Sequence, residues 1–570
     1  MKRKSAAVSF ALLLTLFGSA CASPSPRVSS PAAGPATLVK KQIVAAILSD
    51  PAGLHQEMSN PNPSPVSVPG LAELFVMLDG ALTYLDGEYV RRPWLAEAIP
   101  SIENGLWTVF PDGRMETTWR IKPGTRWHDG TPVTADDLRF TLDVYRDRET
   151  TVYNVPNLGL VEGIEARDPQ TAVVTWQQPF IDADTLFGSG VTMWLLPKHI
   201  LEAPFQESKA NFLSLPYWRE GFVGAGPFKM QAWEPGSRAT LVANDGYVLG
   251  RPRIDQIEVQ FYTDRGALKA GLLAGVVQVP LSTRGLAVED ALEIHDATQE
   301  VKVQLGGLLS GVLPMYPQFI DPDPPIVANL QFRRALLIAI DRQEMADTIN
   351  RGLGPVAHSW VQPDRPEGRA IDGSFVRYGY DPRAATQMIE ALGYLKGVDG
   401  GLQAADGTKL SVQIQTHQQN SFHVPTSLSV SDSWRRLGLD VQTDILSAAQ
   451  SLDAKYRAQH PAFLLISMGP LTSPAGYFRR AAIPVQETNF TGANMARYGT
   501  AEIDGLLERY SQTIPFPERM TVLSEVVRQQ TDQVLMLPLF FQGAAYVLGS
   551  ARLQNVLAGQ VWNSHLWELD

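Results

Sequence analysis

Few residues in this sequence have the types and spacing that catalysis requires. The chain contains no HExxH, GxSxG or GxxxxGKS/T pattern, so it lacks the common signatures of zinc hydrolases, serine hydrolases and phosphate loops. His128 and Asp129 stand in the run Trp-His-Asp-Gly, which we interpret as a hydrogen-bonded turn because chain order alone cannot identify a Ser/His/Asp triad. His417 and His423 are six residues apart, a spacing that does not share one helix face. The sequence therefore favours a protein that is not an enzyme.

A glycine-rich run, VGAGPF, begins like a dinucleotide-binding loop. Gly224 and Gly226 have the right spacing, but Lys229 stands where the third glycine belongs and Pro227 interrupts the helix start. We predict a structural role for Gly224, Gly226 and Pro227, with Gly226 in a backbone conformation that other residues reach only at a cost. We expect no cofactor and no metal.

The single cysteine, Cys21, follows a typical export signal. Lys2 to Lys4 are basic, Ala6 to Phe17 are apolar, and small residues precede Cys21. This order is similar to a bacterial lipobox, although Gly18 stands where that motif usually has Leu. We predict lipidation at Cys21; the alternative is an ordinary signal peptide with an incidental cysteine. An internal disulfide or a cysteine-built zinc site is excluded.

The composition predicts an acidic, globular body, and the export signal predicts that it lies outside the cytoplasm. Lys plus Arg is 48 and Asp plus Glu is 59; removal of the three basic signal residues leaves 45 − 59 = −14. This balance, without a basic run in the body, argues against nucleic-acid binding. Residues 22–37 are rich in Ser, Pro and Ala, which is typical of a disordered tether. No later segment is apolar over eighteen residues, so we expect membrane attachment through lipid only.

Strand and helix patterns alternate along the body. Thr134 is a candidate N-cap with acidic residues in the following turn, and Thr171 to Trp176 reads as a strand. Ile257 to Phe261 predicts a strand that leads into a helix. Glu518 to Val534 predicts a long helix followed by the apolar strand Met536 to Phe541. Such alternation predicts α/β lobes with partly parallel sheets.

Five stretches together resemble the extracytoplasmic solute-binding proteins of peptide-type ABC transporters, the oligopeptide/dipeptide/nickel-binding group of solute-binding family 5. They are Trp119–Phe140 (WRIKPGTRWHDGTPVTADDLRF), Leu196–His199 (LPKH), Val223–Gly275 with its VGAGPF start, Phe332–Asp341 (FRRALLIAID) and Trp562–Trp567 (WNSHLW). They occur in the order that the family shows and cover nearly all of residues 40–570.

The resemblance implies an α/β, two-lobed, type II periplasmic-binding-protein-like clamshell with an extra domain inserted in the first lobe. The implied limits are a lipoprotein signal peptide at 1–21, a disordered tether at 22–37, lobe one at 38–84, 188–300 and 537–570, an inserted domain at 85–187 and lobe two at 301–536. The strands that cross between the lobes are expected near Val301–Met315 and Met536–Tyr546.

The resemblance also implies capture without chemistry. A cleft between the lobes would bind a peptide or another small solute, and the closed form would deliver it to membrane permease subunits driven by a separate ATPase. We expect a monomer, located in the periplasm or at the outer face of the cell membrane. Two alternatives remain open: a sensor that presents its ligand to a receptor, and a secreted hydrolase.

Ligand contacts are expected from a loop that follows Phe463–Ile466. Relatives that bind peptides often carry an acidic residue there for the peptide ammonium, whereas residues 467–480 here contain no Asp or Glu. Arg479 could instead meet a carboxylate, although a solvated surface pair with Arg480 is the alternative that the sequence slightly favours. By position in the family the candidates are Trp360, Tyr477, Arg479, Asn494, Arg497 and Tyr498. For each of them, core packing or solvent exposure remains an alternative to ligand contact.

The anchoring prediction has a direct test. Cys21→Ser should move the protein from the membrane fraction to the soluble fraction, because the thiol is the only attachment point for the lipid. Fractionation and labelling with a fatty acid measure this. A variant that stays with the membrane, together with a wild type that takes up no label, would show that Cys21 is not lipidated.

Overall fold

The computed structural model describes residues 40–56, 69–87, 90–150, 158–188, 193–281, 286–418, 420–469 and 475–570, without the side chains of residues 308, 448 and 475. The predictions for Cys21 and for the tether lie outside the described residues, as do positions 470–474 of the expected recognition loop. Residues 41–570 form one compact unit. In the described ranges, no helix has the length and apolar character needed to cross a membrane.

Among the described residues, the first half of the chain contains a five-stranded sheet of mixed direction, a four-stranded sheet and a two-stranded sheet. The strands are β1 (Gln42–Ile47), β2 (Thr83–Leu85), β3 (Arg91–Pro93), β4 (Trp107–Val109), β5 (Met115–Arg120), β6 (Val161–Asp168), β7 (Thr171–Trp176), β8 (Phe228–Glu234), β9 (Arg238–Ala243), β10 (Gln256–Phe261) and β11 (Val279–Pro280). The helices are α1 (Leu71–Leu78), α2 (Ala135–Arg146), α3 (Lys198–Glu207), α4 (Arg265–Leu273) and α5 (Val288–Ala297). The order of the first sheet is β11-β1-β10-β9-β8, in which β1 runs parallel to β10 and β11.

A second, antiparallel sheet interrupts this lobe. Its order is β4-β5-β7-β6, and α2 contacts β6. The expected helix start is confirmed, since the Asp137 carboxylate accepts hydrogen bonds from the Thr134 N–H at 2.7 Å and from its hydroxyl at 3.2 Å. The expected strand Thr171–Trp176 is confirmed as β7.

The second half of the chain contains another five-stranded sheet of mixed direction and, among the described residues, two two-stranded sheets. Its strands are β12 (Val301–Pro317), β13 (Leu395–Lys396), β14 (Leu402–Gln403), β15 (Ser411–His417), β16 (Asp440–Leu446), β17 (Phe463–Leu465) and β18 (Leu537–Ser550), followed by β19 (Leu553–Gln554) and β20 (Glu568–Leu569). Its helices are α6 (Leu330–Ile338), α7 (Arg342–Thr348), α8 (Pro366–Ala370), α9 (Pro382–Ala391), α10 (His423–Leu437), α11 (Ala448–Leu452), α12 (Ala454–Ala458), α13 (Ala475–Phe478), α14 (Ala501–Gln512) and α15 (Phe516–Asp532). The sheet order is β16-β15-β17-β12-β18, with β15 parallel to β16 and β17.

Strands β12 and β18 form a long antiparallel ribbon. The pairing runs from Val301 opposite Ser550 to Met315 opposite Leu537, with register shifts at four places. Gly306 and Gly307 have positive φ values of 68° and 84° within the longest irregularity. Bulges bend a strand and interrupt its ladder, so the middle of the ribbon is the place where it can flex.

The ribbon joins different hydrophobic cores. The first core lies around the first two sheets and includes Trp94 and Trp119; the second and third lie around the other sheet and include Trp434 and Val527, respectively. At one end of the ribbon, Val301 belongs to a small cluster under the first sheet, with Ala46. At the other end, Leu313 and Leu537 belong to the second core. The expected α/β fold of two lobes with an additional domain is confirmed.

The VGAGPF run packs against the end of α1. The Gly226 N–H donates to the Leu78 carbonyl at 3.1 Å, and the Ala225 N–H donates to Asp79 Oδ1 at 3.0 Å. A Cβ on Gly226 would lie 2.5 Å from the Leu78 carbonyl carbon, and one on Gly224 would lie 2.2 Å from the Leu78 oxygen. The conformational reason expected for Gly226 is wrong, because its φ is not positive. The glycine is required by the close approach of two backbones.

His128 joins this packing. Its Nδ1 accepts from the Gly224 N–H at 3.1 Å, and its Nε2 lies 3.2 Å from the Gly226 carbonyl oxygen. Burial lowers the pKa of His128 to about 4, so the ring is neutral at pH 7. The Thr131 N–H donates to Asp129 Oδ1 at 2.9 Å, which confirms the expected hydrogen-bonded turn.

The close approach at Gly226 gives a stability prediction. Gly226→Ala should lower the free energy of unfolding by about 1–3 kcal/mol, because backbone atoms of Leu78 and Asp79 must move to admit the methyl group. Gly246→Ala is the matched control, since a Cβ there lies 3.6 Å from its nearest neighbour, Asn244 Oδ1, and φ is again not positive. Calorimetry compares the two. Equal loss of stability in both variants would contradict this explanation.

Candidate functional site

The candidate site is defined by the carboxyl ends of parallel strands. Ligands of open α/β sheets bind outside these ends. In the first lobe, β1, β10 and β11 run in the same direction, and in the second lobe β15, β16 and β17 do. We call the two edges the first-lobe edge (residues 48–50 and 262–264) and the second-lobe edge (residues 417–418, 420–423 and 466–469).

Acidic groups at the first-lobe edge are used by the local backbone. Asp50 Oδ1 accepts a hydrogen bond from the Gly236 N–H at 3.1 Å. Asp264 Oδ1 accepts from the Ala267 N–H at 2.7 Å and thereby caps α4. The Tyr262 hydroxyl donates to Gln260 Oε1 at 3.2 Å. These carboxylates therefore stabilise the edge itself.

The second-lobe edge brings two histidines together. His417 ends β15 and His423 begins α10, and their ring centroids are 4.5 Å apart. Ser467, just beyond β17, donates its N–H to His423 Nε2 at 3.1 Å, and its Oγ lies 2.7 Å from the same nitrogen. Asn420 Nδ2 donates to Ser467 Oγ at 3.3 Å. The cluster fixes the start of the expected recognition loop.

The electrostatic state of this edge follows from burial. Burial, and then the neighbouring His417, lowers the pKa of His423 to about 3, and burial lowers the pKa of His417 as well. Both rings are therefore neutral at pH 7. Because His423 Nε2 accepts a backbone N–H, its proton resides on Nδ1. The second-lobe edge thus offers neutral polar groups.

Sequence reasoning did not find this cluster. A spacing of six residues excludes one shared helix face, but His417 and His423 instead flank a strand-to-helix connection. The signal in the sequence is the position of each histidine. His417 follows a strand pattern and His423 precedes a helix pattern, which puts both at the carboxyl edge of the sheet. Within the described part of the chain, no group of three or more His, Cys, Asp or Glu residues could hold a metal ion.

Several of the expected contact residues gather around one small cavity. Tyr477, Asn494 and Tyr498 line it together with Tyr316 and Leu535. The Asn494 side-chain amide donates to the Arg479 carbonyl at 3.1 Å and to the Tyr498 carbonyl at 2.7 Å. Asn494 is 2% exposed, so it holds the two segments together from inside. Burial raises the pKa of Tyr477, so its hydroxyl stays protonated.

The two neighbouring arginines differ in their partners. Arg480 forms an ion pair with Asp504 at 2.5 Å. In the described ranges, no carboxylate lies within ion-pair distance of the half-buried Arg479. Arg497 is buried in a left-handed conformation with φ 56°, and burial lowers its pKa while Asp321 opposes that shift. Asp504 also attracts Arg479, from beyond ion-pair distance.

Trp360 is almost completely buried. It is 7% exposed, its indole N–H donates to Gln530 Oε1, and its ring centroid is 5.8 Å from that of Phe478. It also lines a narrow cavity beside Arg342 and His358. A solute contact by Trp360 would therefore use the ring and not the N–H.

Comparison with known proteins adds a family match. The model described as Bacterial extracellular solute-binding proteins, family 5 Middle, matches residues 92–487. The oligopeptide-binding protein AppA of Bacillus subtilis is 25% identical over 377 residues, which are 65% of this chain and 64% of AppA. The match thus spans less than two thirds of the length of that relative.

Solved structures show the same fold. AppA from Bacillus subtilis in complex with a nonapeptide has a TM-score of 0.66 at 20% identity, covering 93% of this chain and 99% of that chain. NikZ from Campylobacter jejuni in complex with Ni(L-His) has a TM-score of 0.69 at 19% identity, covering 93% of this chain and 100% of that chain.

Proposed function

This chain belongs to the bacterial extracellular solute-binding proteins, family 5, and on that premise we propose that it captures a peptide or similar solute between its lobes for an ABC importer. The observation that carries the proposal is the family match over residues 92–487. The geometry supports it, since two parallel-strand edges lie in lobes that are joined by the β12–β18 ribbon. Delivery goes to a membrane permease with a separate ATPase.

Closure in this proposal uses the ribbon as a hinge. A solute stabilises the closed form only through contacts that are better in that form than in the open one. The bulged segment with Gly306 and Gly307 divides the β12–β18 pairing into two stretches. It allows the ribbon to bend there while the hydrogen bonds at both ends stay formed. We propose that this closure retains the solute without changing it chemically, so the protein has no catalytic turnover.

The solute class follows from the second-lobe edge. The segment after β17 stays extended, since Met468 and Val312 exchange backbone hydrogen bonds of 2.8 and 2.9 Å. Extended backbone beside a cleft suits the main chain of a peptide, whose hydrogen bonds do not depend on its sequence. His423 is neutral there and Arg479 supplies positive charge. We propose a solute with a carboxylate or neutral polar groups, and contacts from Tyr477 and Arg479.

Location and assembly complete the proposal. We propose a monomer outside the cytoplasm, held at the membrane through lipid on Cys21. We also propose the domain limits expected from the sequence, with lobe one at 38–84, 188–300 and 537–570, the inserted domain at 85–187 and lobe two at 301–536.

A co-purified solute would test the binding function. Native mass spectrometry of the purified full chain should show an added mass that disappears on partial unfolding, and fragmentation should identify that mass as a peptide or another polar solute. Titration with that solute should then reproduce one-to-one binding. Chemical conversion of the solute by the protein would contradict the proposal.

The charges of the segment after β17 predict how the two ends of a peptide affect its affinity. N-acetylation of a bound peptide should leave its affinity within about threefold, because residues 467–480 contain no acid. Amidation of the peptide carboxyl end should weaken binding to wild type but not to Arg479→Gln, with Arg480→Gln as the matched control. Calorimetric titration measures each pair. A loss of around a hundredfold on acetylation, about 2.7 kcal/mol, would show that an acid elsewhere pairs with the ammonium.

A further inference from the structure

A contact outside the ribbon also connects the two lobes. The Ile181 N–H donates a hydrogen bond to the Ser511 carbonyl at 3.0 Å. Ile181 lies between Phe180 and Ala183, which belong to the first core. Ser511 lies in α14, whose residues Leu507 and Tyr510 belong to the third core. By the proposed limits Ile181 lies at the end of the domain that is inserted in the first lobe, and Ser511 lies in lobe two, so the hydrogen bond joins the two sides of the molecule.

Two isoleucines reinforce this contact, because each one packs against a core on the opposite side. The Ile181 side chain packs against the third core, although its neighbours pack in the first. The Ile514 side chain, in the connection between α14 and α15, packs against the first core. Each lobe therefore buries one apolar side chain of the other, and separation of the lobes would expose both.

Charged side chains surround the two isoleucines. On the first-lobe side, Asp184 forms an ion pair with Arg91 at 3.5 Å, and Asp182 lies next to it. On the second-lobe side, Arg519 of α15 attracts both aspartates, while Glu367 repels Asp182. Tyr510 also faces this group.

The position of Arg519 is fixed from its own lobe. Its Nη1 donates to the Ile514 carbonyl at 2.9 Å, and its guanidinium lies 5.5 Å from the Phe516 ring centroid. The guanidinium is therefore held beside the isoleucine that enters the first lobe. Three carboxylates face two guanidinium groups, so the ionised contact carries one excess negative charge.

We propose that the Ile181–Ser511 contact, with Asp182 and Arg519 across it, holds the lobes closed and does so more strongly in mild acid. This rests on the proposed function, because it concerns the closure by which a solute is retained. The excess negative charge opposes closure when all three acids are ionised, and uptake of one proton removes it.

The sign of the pH effect follows from Asp182. Burial, and then the neighbouring Asp184, raises its pKa to about 7 where the contact is formed, from the ordinary value of 3.8. Burial raises the pKa of Asp184 as well, although Arg91 and Arg519 oppose that shift. An acid whose pKa is raised by closure binds a proton more tightly in the closed form, so closure is favoured as the pH falls through 7 and the gain is complete below 3.8. Between pH 8 and pH 6 the ratio of closed to open forms should rise by up to about tenfold.

Hydrogen exchange of the Ile181 amide measures this ratio without any solute. On the solute-free full chain, protection of that amide, corrected for the pH dependence of chemical exchange, should rise by up to about tenfold from pH 8 to pH 6. Asp182→Asn should raise protection at pH 8, and Asp182→Asn combined with Asp184→Asn should give the same protection at both pH values. Arg519→Gln should lower protection by about fivefold, the upper range for a partly exposed ion pair. Arg528→Gln, on the same helix and 56% exposed, is the matched control.

Small-angle scattering of the same samples separates lobe closure from local opening. The proposal expects the radius of gyration to fall from pH 8 to pH 6 in wild type and to rise in Arg519→Gln. Protection that changes without any change of radius would overturn it, as would pH-dependent protection retained when Asp182→Asn and Asp184→Asn are combined. Because no solute is present, these outcomes are independent of whether the protein binds peptides.

Discussion

The antiparallel pairing of β12 with β18 is the constraint on which the rest of the structure depends. These strands are separated by more than two hundred residues in the chain, and their ladder is the central connection between the two lobes. Its ends are anchored in separate cores, through Val301 at one end and through Leu313 with Leu537 at the other. Its middle is irregular, with glycines at positive φ. Firm ends and a bent centre are what a hinge requires.

Buried charge is arranged differently at the edges of the cleft and at the Ile181–Ser511 contact. At the second-lobe edge, burial keeps His417 and His423 neutral, and a backbone N–H fixes the tautomer of His423. At the contact between lobes, aspartates face arginines, so opening and closing change the surroundings of ionised groups. The two histidines at the second-lobe edge are therefore neutral near pH 7, whereas the proposed contact between the lobes changes its charge with pH.

Local patterns predicted local elements well. The N-cap at Thr134 and the strand Thr171–Trp176 follow from short-range rules, and the helix expected over 518–534 is present at Phe516–Asp532. The strand expected at 536–541 extends to Ser550, because pairing with β12 continues beyond Gly543. The family resemblance supplied the two-lobed fold.

Contacts between distant segments were not predictable from the sequence. The approach of Gly226 to Leu78 depends on backbone packing across distant residues, and the histidine pair depends on a strand and a helix meeting at one edge. The Ile181–Ser511 hydrogen bond joins residues 330 positions apart (511 − 181).

The central claim is that a solute closes the two lobes about the ribbon, and small-angle scattering of the full chain with and without a saturating bound peptide tests it most directly. The radius of gyration should fall on binding, with a negative heat-capacity change as cleft surface is buried; an unchanged radius, in a protein whose free form is open, would contradict the account.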